Sequence, residues 1–217
     1  MGKLPQLVVA ATLSAFTAAC SVFGVRTAKE PAYAVVLAEG DKEIRRYNSY
    51  LVARTEVRGD YDDSGSQAFR RLFKYIDGNN QGERDIAMTA PVVQQARAGD
   101  EIAMTAPVVQ SKDGQTWQMD FVLPAKYTGN TAPKPNDERI EILEVPSRTV
   151  ATIRYTGLVS DADIRDKTRV LKAWMQDKPY RITSQARSAR YDPPFTIPFL
   201  RRNEVHVTVE PQSEPES

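Results

Sequence analysis

The chain has 217 residues, 41% hydrophobic and 26% charged, a globular composition with room for one generous domain or two small ones. Its 29 basic and 28 acidic residues leave a net charge of +1, so electrostatics give no argument for nucleic acid or an anionic partner. A single cysteine and a single histidine exclude a disulfide framework and a zinc cage by ligand count.

Residues 1–19 read as a signal peptide. Lys3 supplies the positive start and Leu7 to Ala19 an apolar stretch too short to cross a bilayer. Thr17-Ala18-Ala19-Cys20 resembles a bacterial lipobox, with Thr17 where Leu is usual. The expectation is cleavage before Cys20, acylation of Cys20, and a lipidated tether over residues 20–32; the alternative is an ordinary signal with Cys20 incidental. Loss of Lys3 balances basic and acidic residues, and three acyl chains would anchor such a chain to a membrane unaided. Ser21 resembles the residue of enterobacterial lipoproteins sent to the outer membrane. The expected location is therefore the cell envelope, on the periplasmic face of the outer membrane.

Tyr33–Glu39, Glu43–Tyr47 and Leu51–Val57 are short β-rich runs punctuated by Gly40-Asp41 and Asn48-Ser49, which predicts hairpin-connected strands. A helix follows, with Asp62, Asp63 and Ser64 as candidate caps, Ala68, Phe69, Leu72, Phe73 and Ile76 at helical spacing, and Gly78 as its stop. Ile86 to Gln94 then recurs unchanged as Ile102 to Gln110, in the sequence IAMTAPVVQ. Two copies of nine residues are too few and too short for a solenoid. Each Pro should lead its Val pair into a strand. Met88 and Met104 are then either core fillers or the lining of a pocket.

Thr116 to Leu123 alternates large apolar residues as a strand, and Tyr127 to Asp137 is a Pro-rich loop. Ile140–Val145 and Arg148–Tyr155 are further strands. Ser160 and Asp163 form a capping box for a second helix with Ile164, Leu171, Trp174 and Met175 as its buried stripe. Tyr180 to Tyr191 reads as one strand, Asp192 to Asn203 as a Pro-rich loop and Glu204 to Val209 as the last strand, before a disordered tail over 210–217. The order strand, helix, strand, strand occurs twice. The predicted fold is therefore α+β: one domain over 33–209, a distorted antiparallel β-barrel of two βαββ-like halves with two flanking helices.

The reactive inventory is thin, with no HExxH, CxxC, GxSxG or Walker-type loop. His206 alternates with Val205 and Val207; with the valines inward, it points outward and catalyses nothing. The expectation is a binding protein and not an enzyme. Phe195, Ile197 and Phe199 in the C-terminal loop either plug the barrel end or, with the Phe-bearing helix, enclose an apolar pocket. Arg70, Arg71 and Lys74 could place cations at its mouth for a flat ligand carrying carboxylates, or simply form a solvated helix face.

Tyr47 to Val57, Lys74-Tyr75-Ile76-Asp77-Gly78-Asn79-Asn80, the IAMTAPV copies, Met119 to Pro124, Pro133-Lys134-Pro135, Tyr191-Asp192-Pro193-Pro194 and Arg201 to Val205 together resemble the SOUL heme-binding protein family. The resemblance spans about 33–209. It implies a distorted barrel, similar also to effector-binding domains of some bacterial regulators, and binding of heme or a related tetrapyrrole as carrier, buffer or scavenger. The implied cofactor-binding residues are Phe69, Phe73, Lys74, Arg71, Met88, Met104, Phe195, Ile197 and Phe199, with Lys74 where a family cation holds a propionate. No His stands where some members carry an axial ligand, and Thr196 stands where some carry a basic residue, so no metal ligand transfers. The expected partners are a tetrapyrrole or similar apolar small molecule and a membrane through the lipid anchor, with no nucleic acid and a monomeric state. The alternative is a module for another small hydrophobic ligand or an envelope protein partner.

Overall fold

A computed structural model describes residues 28–59, 61–82, 99–113, 116–193 and 195–212. The signal segment, Cys20, most of the tether, Met88 with the first copy of the repeat, and residues 213–217 lie outside them. The chain runs β1 (Tyr33–Glu39), β2 (Lys42–Tyr47), β3 (Tyr50–Arg58), α1 (Tyr61–Ile76), β4 (Asn80–Gln81), β5 (Val108–Asp113) and β6 (Thr116–Val122). There follow β7 (Lys134–Pro135), β8 (Ile140–Val145), β9 (Arg148–Tyr155), α2 (Asp161–Met175), β10 (Tyr180–Ile182), β11 (Arg187–Arg190), a 3-10 turn (Pro198–Leu200) and β12 (Asn203–Pro211).

Antiparallel pairing gives the order β1-β2-β9-β12-β11-β5-β6-β3-β8, with β10 on β12. The two halves meet at the β5–β11 seam, where Ala189 faces Val109. Each half also lends a strand to the other: β2 pairs with β9, and β8 with β3. The sheet curls into a half-barrel with two helices, as expected of a distorted α+β barrel.

Both helices lie on the outer side of the sheet. Leu72, Tyr75 and Ala68 of α1 pack on Leu51, Ala53, Met119 and Phe121. Leu171 and Met175 of α2 pack on Ile44, Ala151, Ile153, Val205, Val207 and Val209. The capping box is formed, with Ser160 Oγ accepting from the Asp163 N–H. Because strand side chains alternate faces, the residues between these apolar ones point into the concave interior.

That alternation corrects the expectation for His206. Val205 and Val207 do face the core, but that core lies under α2 on the outer side, so His206 turns into the interior and is buried. The predicted single strand Tyr180–Tyr191 is two strands. Pairing shifts by two residues between Ile182↔Val209 and Arg187↔His206, and Ser184 Oγ accepts the Thr208 N–H at the kink. The last strand also outruns its predicted end, since Glu210 and Pro211 pair with Arg181 and Tyr180.

The second copy of the repeat is structural. Its Ile102, Ala106 and Val109 are buried, and Thr105 Oγ1 donates to the Val122 carbonyl. Val108 and Val109 open β5, as the Pro-Val-Val pattern predicts. Met104 is not a core filler: it is 41% exposed. The approach to this copy is clamped by Asn80, which donates to the Tyr75 and Asp100 carbonyls and accepts the Asp100 N–H. Gly99 fits here because a Cβ would overlap the carbonyl oxygens of Asn80 and Gly78.

Candidate functional site

On α1, the ring of Phe69 is half-buried, edge-on to Phe121 at 5.3 Å, and stacks with Phe73 at 6.1 Å and 16°. Four residues apart, the two rings share one helix face, and Phe73 carries that face outward, 44% exposed. Lys74 beside it is exposed. Arg71 differs: it donates to Thr55 Oγ1 at 2.6 Å and to the Glu56 carbonyl at 3.0 Å, with Asp137 at 3.9 Å. Arg71 therefore ties α1 to β3 and is not a freely offered cation.

The loop between β11 and β12 is firmly held. The Asp192 carboxylate accepts the Arg202 N–H at 2.6 Å, the Thr196 carbonyl accepts from Arg201 Nε at 2.7 Å, and the Pro198 carbonyl accepts the Gly157 N–H at 2.9 Å. Thr196 is fully buried, Ile197 half-buried, and Phe195 and Phe199 stand 62% and 70% exposed. Two large rings displayed on a tied loop do not plug a barrel end. Leu158, next to Gly157, adds another exposed apolar side chain at that end.

The structure thus brings Phe69, Phe73 and Lys74 together on α1, and Phe195, Ile197 and Phe199 together on the loop. Among the described residues, no ring contact or shared core cluster joins the two groups. They are related through the sheet: Arg190, at the root of the loop, pairs with Val108, and Val108 pairs with Phe121, against which Phe69 packs. Two strand spacings, roughly 10 Å, separate the loop root from that point.

The concave interior holds a polar network that the sequence reading missed. Glu204, with no exposed surface, accepts from Arg45 Nη1 at 2.7 Å and Nη2 at 3.1 Å, from the Tyr191 hydroxyl at 2.8 Å and from Arg202 Nε at 2.8 Å. With Nε2 protonated, His206 donates to the same carboxylate at 2.7 Å. Arg45 also reaches Glu43 at 2.6 Å, and Arg202 reaches Glu30 at 2.8 Å. Burial alone would raise the Glu204 pKa, but the bonds from His206 and Arg45 outweigh it and hold the carboxyl below its ordinary range. Burial pushes His206 below the usual imidazole value, against the pull of Glu204. The signal was present: Glu204 and His206 alternate with valines on one strand face, as Glu43, Arg45 and Tyr47 do around Ile44.

Among the described residues, no group of three or more His, Cys, Asp or Glu could hold a metal ion. His206 in particular is already engaged by Glu204.

A family model described as SOUL heme-binding protein matches residues 28–100 and 93–208. Heme-binding protein 1 of Xenopus tropicalis is 27% identical over 180 residues, covering 78% of this chain and 87% of that protein. Heme-binding protein 1 of Sus scrofa is 26% identical over 176 residues, covering 78% and 87%. Among solved structures, the C-terminal domain of EcmrR superposes with a TM-score of 0.56 at 14% identity, over 78% of this chain and 97% of that one. A hydrolase from Listeria innocua gives 0.54 at 12% identity, over 81% and 94%. At such identities these two structures establish the fold alone.

Proposed function

The chain belongs to the SOUL heme-binding protein family, and from that premise we propose that it binds heme or a related tetrapyrrole without catalysis. The observation that carries this reading is the exposure of Phe73, Phe195 and Phe199 on rigidly held elements, with Lys74 exposed beside Phe73. Exposed rings on a tied framework favour a ligand with broad apolar faces, because the framework is ordered before the ligand arrives. The exposed ammonium suits a carboxylate at the ligand's rim. These residues fit the group at its faces and edge. Phe69, Phe73, Phe195, Ile197 and Phe199 would cover the ring, Lys74 would hold a carboxylate, and Met104 is an exposed thioether two residues after Ile102, whose N–H bonds the Ile76 carbonyl at the end of α1. The tetrapyrrole itself supplies any iron chemistry.

In this reading the protein is a carrier, buffer or scavenger. Cys20 and the segment before it support an extension of the proposal, a lipid-anchored protein of the bacterial cell envelope. Mass spectrometry of the protein from its host membranes would read the acyl chains on Cys20, and an unmodified residue there would remove that part.

Hemin titrated into the purified protein should give saturable binding with a shifted Soret band. Removing two apolar faces with Phe73→Ala and Phe195→Ala should weaken it roughly tenfold or more, since burying an aromatic side chain contributes about 1.5–3 kcal/mol. Lys74→Ala should weaken hemin more than a porphyrin lacking carboxylates. Absence of saturable binding, or binding indifferent to all three changes, would overturn the proposal.

A further inference from the structure

The concave face holds a small cavity of about 10 Å³, walled in part by Pro31, Tyr50, Pro107, Arg148, Arg187 and His206. That volume admits about one water-sized particle. Two guanidinium groups border it. Arg187 donates Nη2 to Thr208 Oγ1 at 2.8 Å, and Arg148 donates Nη2 to the Tyr50 hydroxyl at 2.7 Å. The Nε atoms of both are buried and make no hydrogen bond. The neighbouring acids are engaged elsewhere: Asp120 by Arg54 at 2.7 and 2.8 Å, Glu204 and Glu43 by Arg45, and Glu30 by Arg202. Two neighbouring cations thus line one cavity, and among the described residues no carboxylate is paired with either.

Both side chains are half-buried with their Nε atoms out of reach of solvent, and like charges held close in such a place repel each other. The cost is visible at Arg187, whose pKa is pushed down to about 10, by burial first and by Arg148 second. We propose that this cavity is a binding site for a monovalent anion the size of chloride, held between the Nε groups of Arg148 and Arg187. A space of about one water-sized particle is too small for a phosphate or a bulky carboxylate and leaves only a small monatomic anion, seated with slight give of the two side chains. Pro31 closes the cavity from a segment that is itself tied down, since the Lys29 carbonyl accepts the Ala106 N–H at 3.0 Å and Glu30 meets Arg202. The site lies across the sheet from α1, so it stands or falls separately from hemin binding.

The test has two readouts on the purified protein. Crystals in sodium bromide should show an anomalous peak within hydrogen-bonding reach of both Nε atoms. In solution, replacing gluconate by chloride at constant ionic strength should raise the melting temperature saturably, as a ligand of the folded state does. Arg187→Gln should abolish the peak and the saturable rise. Arg148→Gln serves the same purpose should the first variant fail to fold. A cavity holding water with no anomalous signal, or a chloride response equal in wild type and both variants, would overturn the proposal.

Discussion

Glu204 has no exposed surface and accepts hydrogen bonds from Arg45, Tyr191, Arg202 and His206, so each neighbour depends on its charge. Glu204→Ala leaves two guanidinium groups facing an empty place, and a broken buried pair costs about 3–5 kcal/mol. Urea denaturation should show a loss of that size. The pH dependence follows from the directions of shift. His206 is depressed below its ordinary value of 6.5, so the unfolded chain takes up its proton first, and stability falls as pH drops below about 6.5. Glu204 is depressed below 4.5, which adds a second loss as pH falls below that value. His206→Gln should flatten the upper part of this slope and leave the lower part, as chemical denaturation at successive pH values would show. At this scale the sequence was half legible. Period-two alternation put Glu204 and His206 on one face, but which face met a helix was not written in either residue.

The elements were more readable than their margins. Ser160 and Asp163 announced the start of α2 because a capping box satisfies backbone N–H groups through local chemistry alone. Ser160→Ala should cost about 1 kcal/mol, measured by thermal or urea unfolding. The strand predicted over Tyr180–Tyr191 broke because its pairing with β12 shifts by two residues, a property of the partner's register and not of local propensity. Likewise Glu210 and Pro211 look like tail by composition and are ordered by pairing with β10. On α1, helical spacing put Phe69 and Phe73 on one face, where their rings stack, and Arg70, Arg71 and Lys74 on the other flank. It could not show that Arg71, one turn away in character from a solvated cation, is held by Thr55 and Glu56.

The halves exchange strands, β2 completing the second half and β8 the first, so the domain should unfold as one cooperative unit. Neither half keeps its edge pairing if the other opens. The two tryptophans report on this, since Trp117 lies in β6 and Trp174 in α2, where its Nε1 donates to Glu39. Single-tryptophan variants, Trp117→Phe and Trp174→Phe, should each unfold in one transition whose fluorescence and far-ultraviolet dichroism midpoints coincide. Separated midpoints would show the halves to be independent.

The sequence by itself determined the class of fold, the two helices, most strands and the family, because these rest on periodicity, caps, turns and motifs that are local in the chain. Tertiary structure alone decided which side of each strand is core. In a curled sheet both faces are covered, so apolar residues under the helices and charged residues in the concavity are equally buried. It also decided that the loop rings stand outward and that Arg148 and Arg187 line one cavity from different strands, since long-range pairing brings together residues that no spacing along the chain relates.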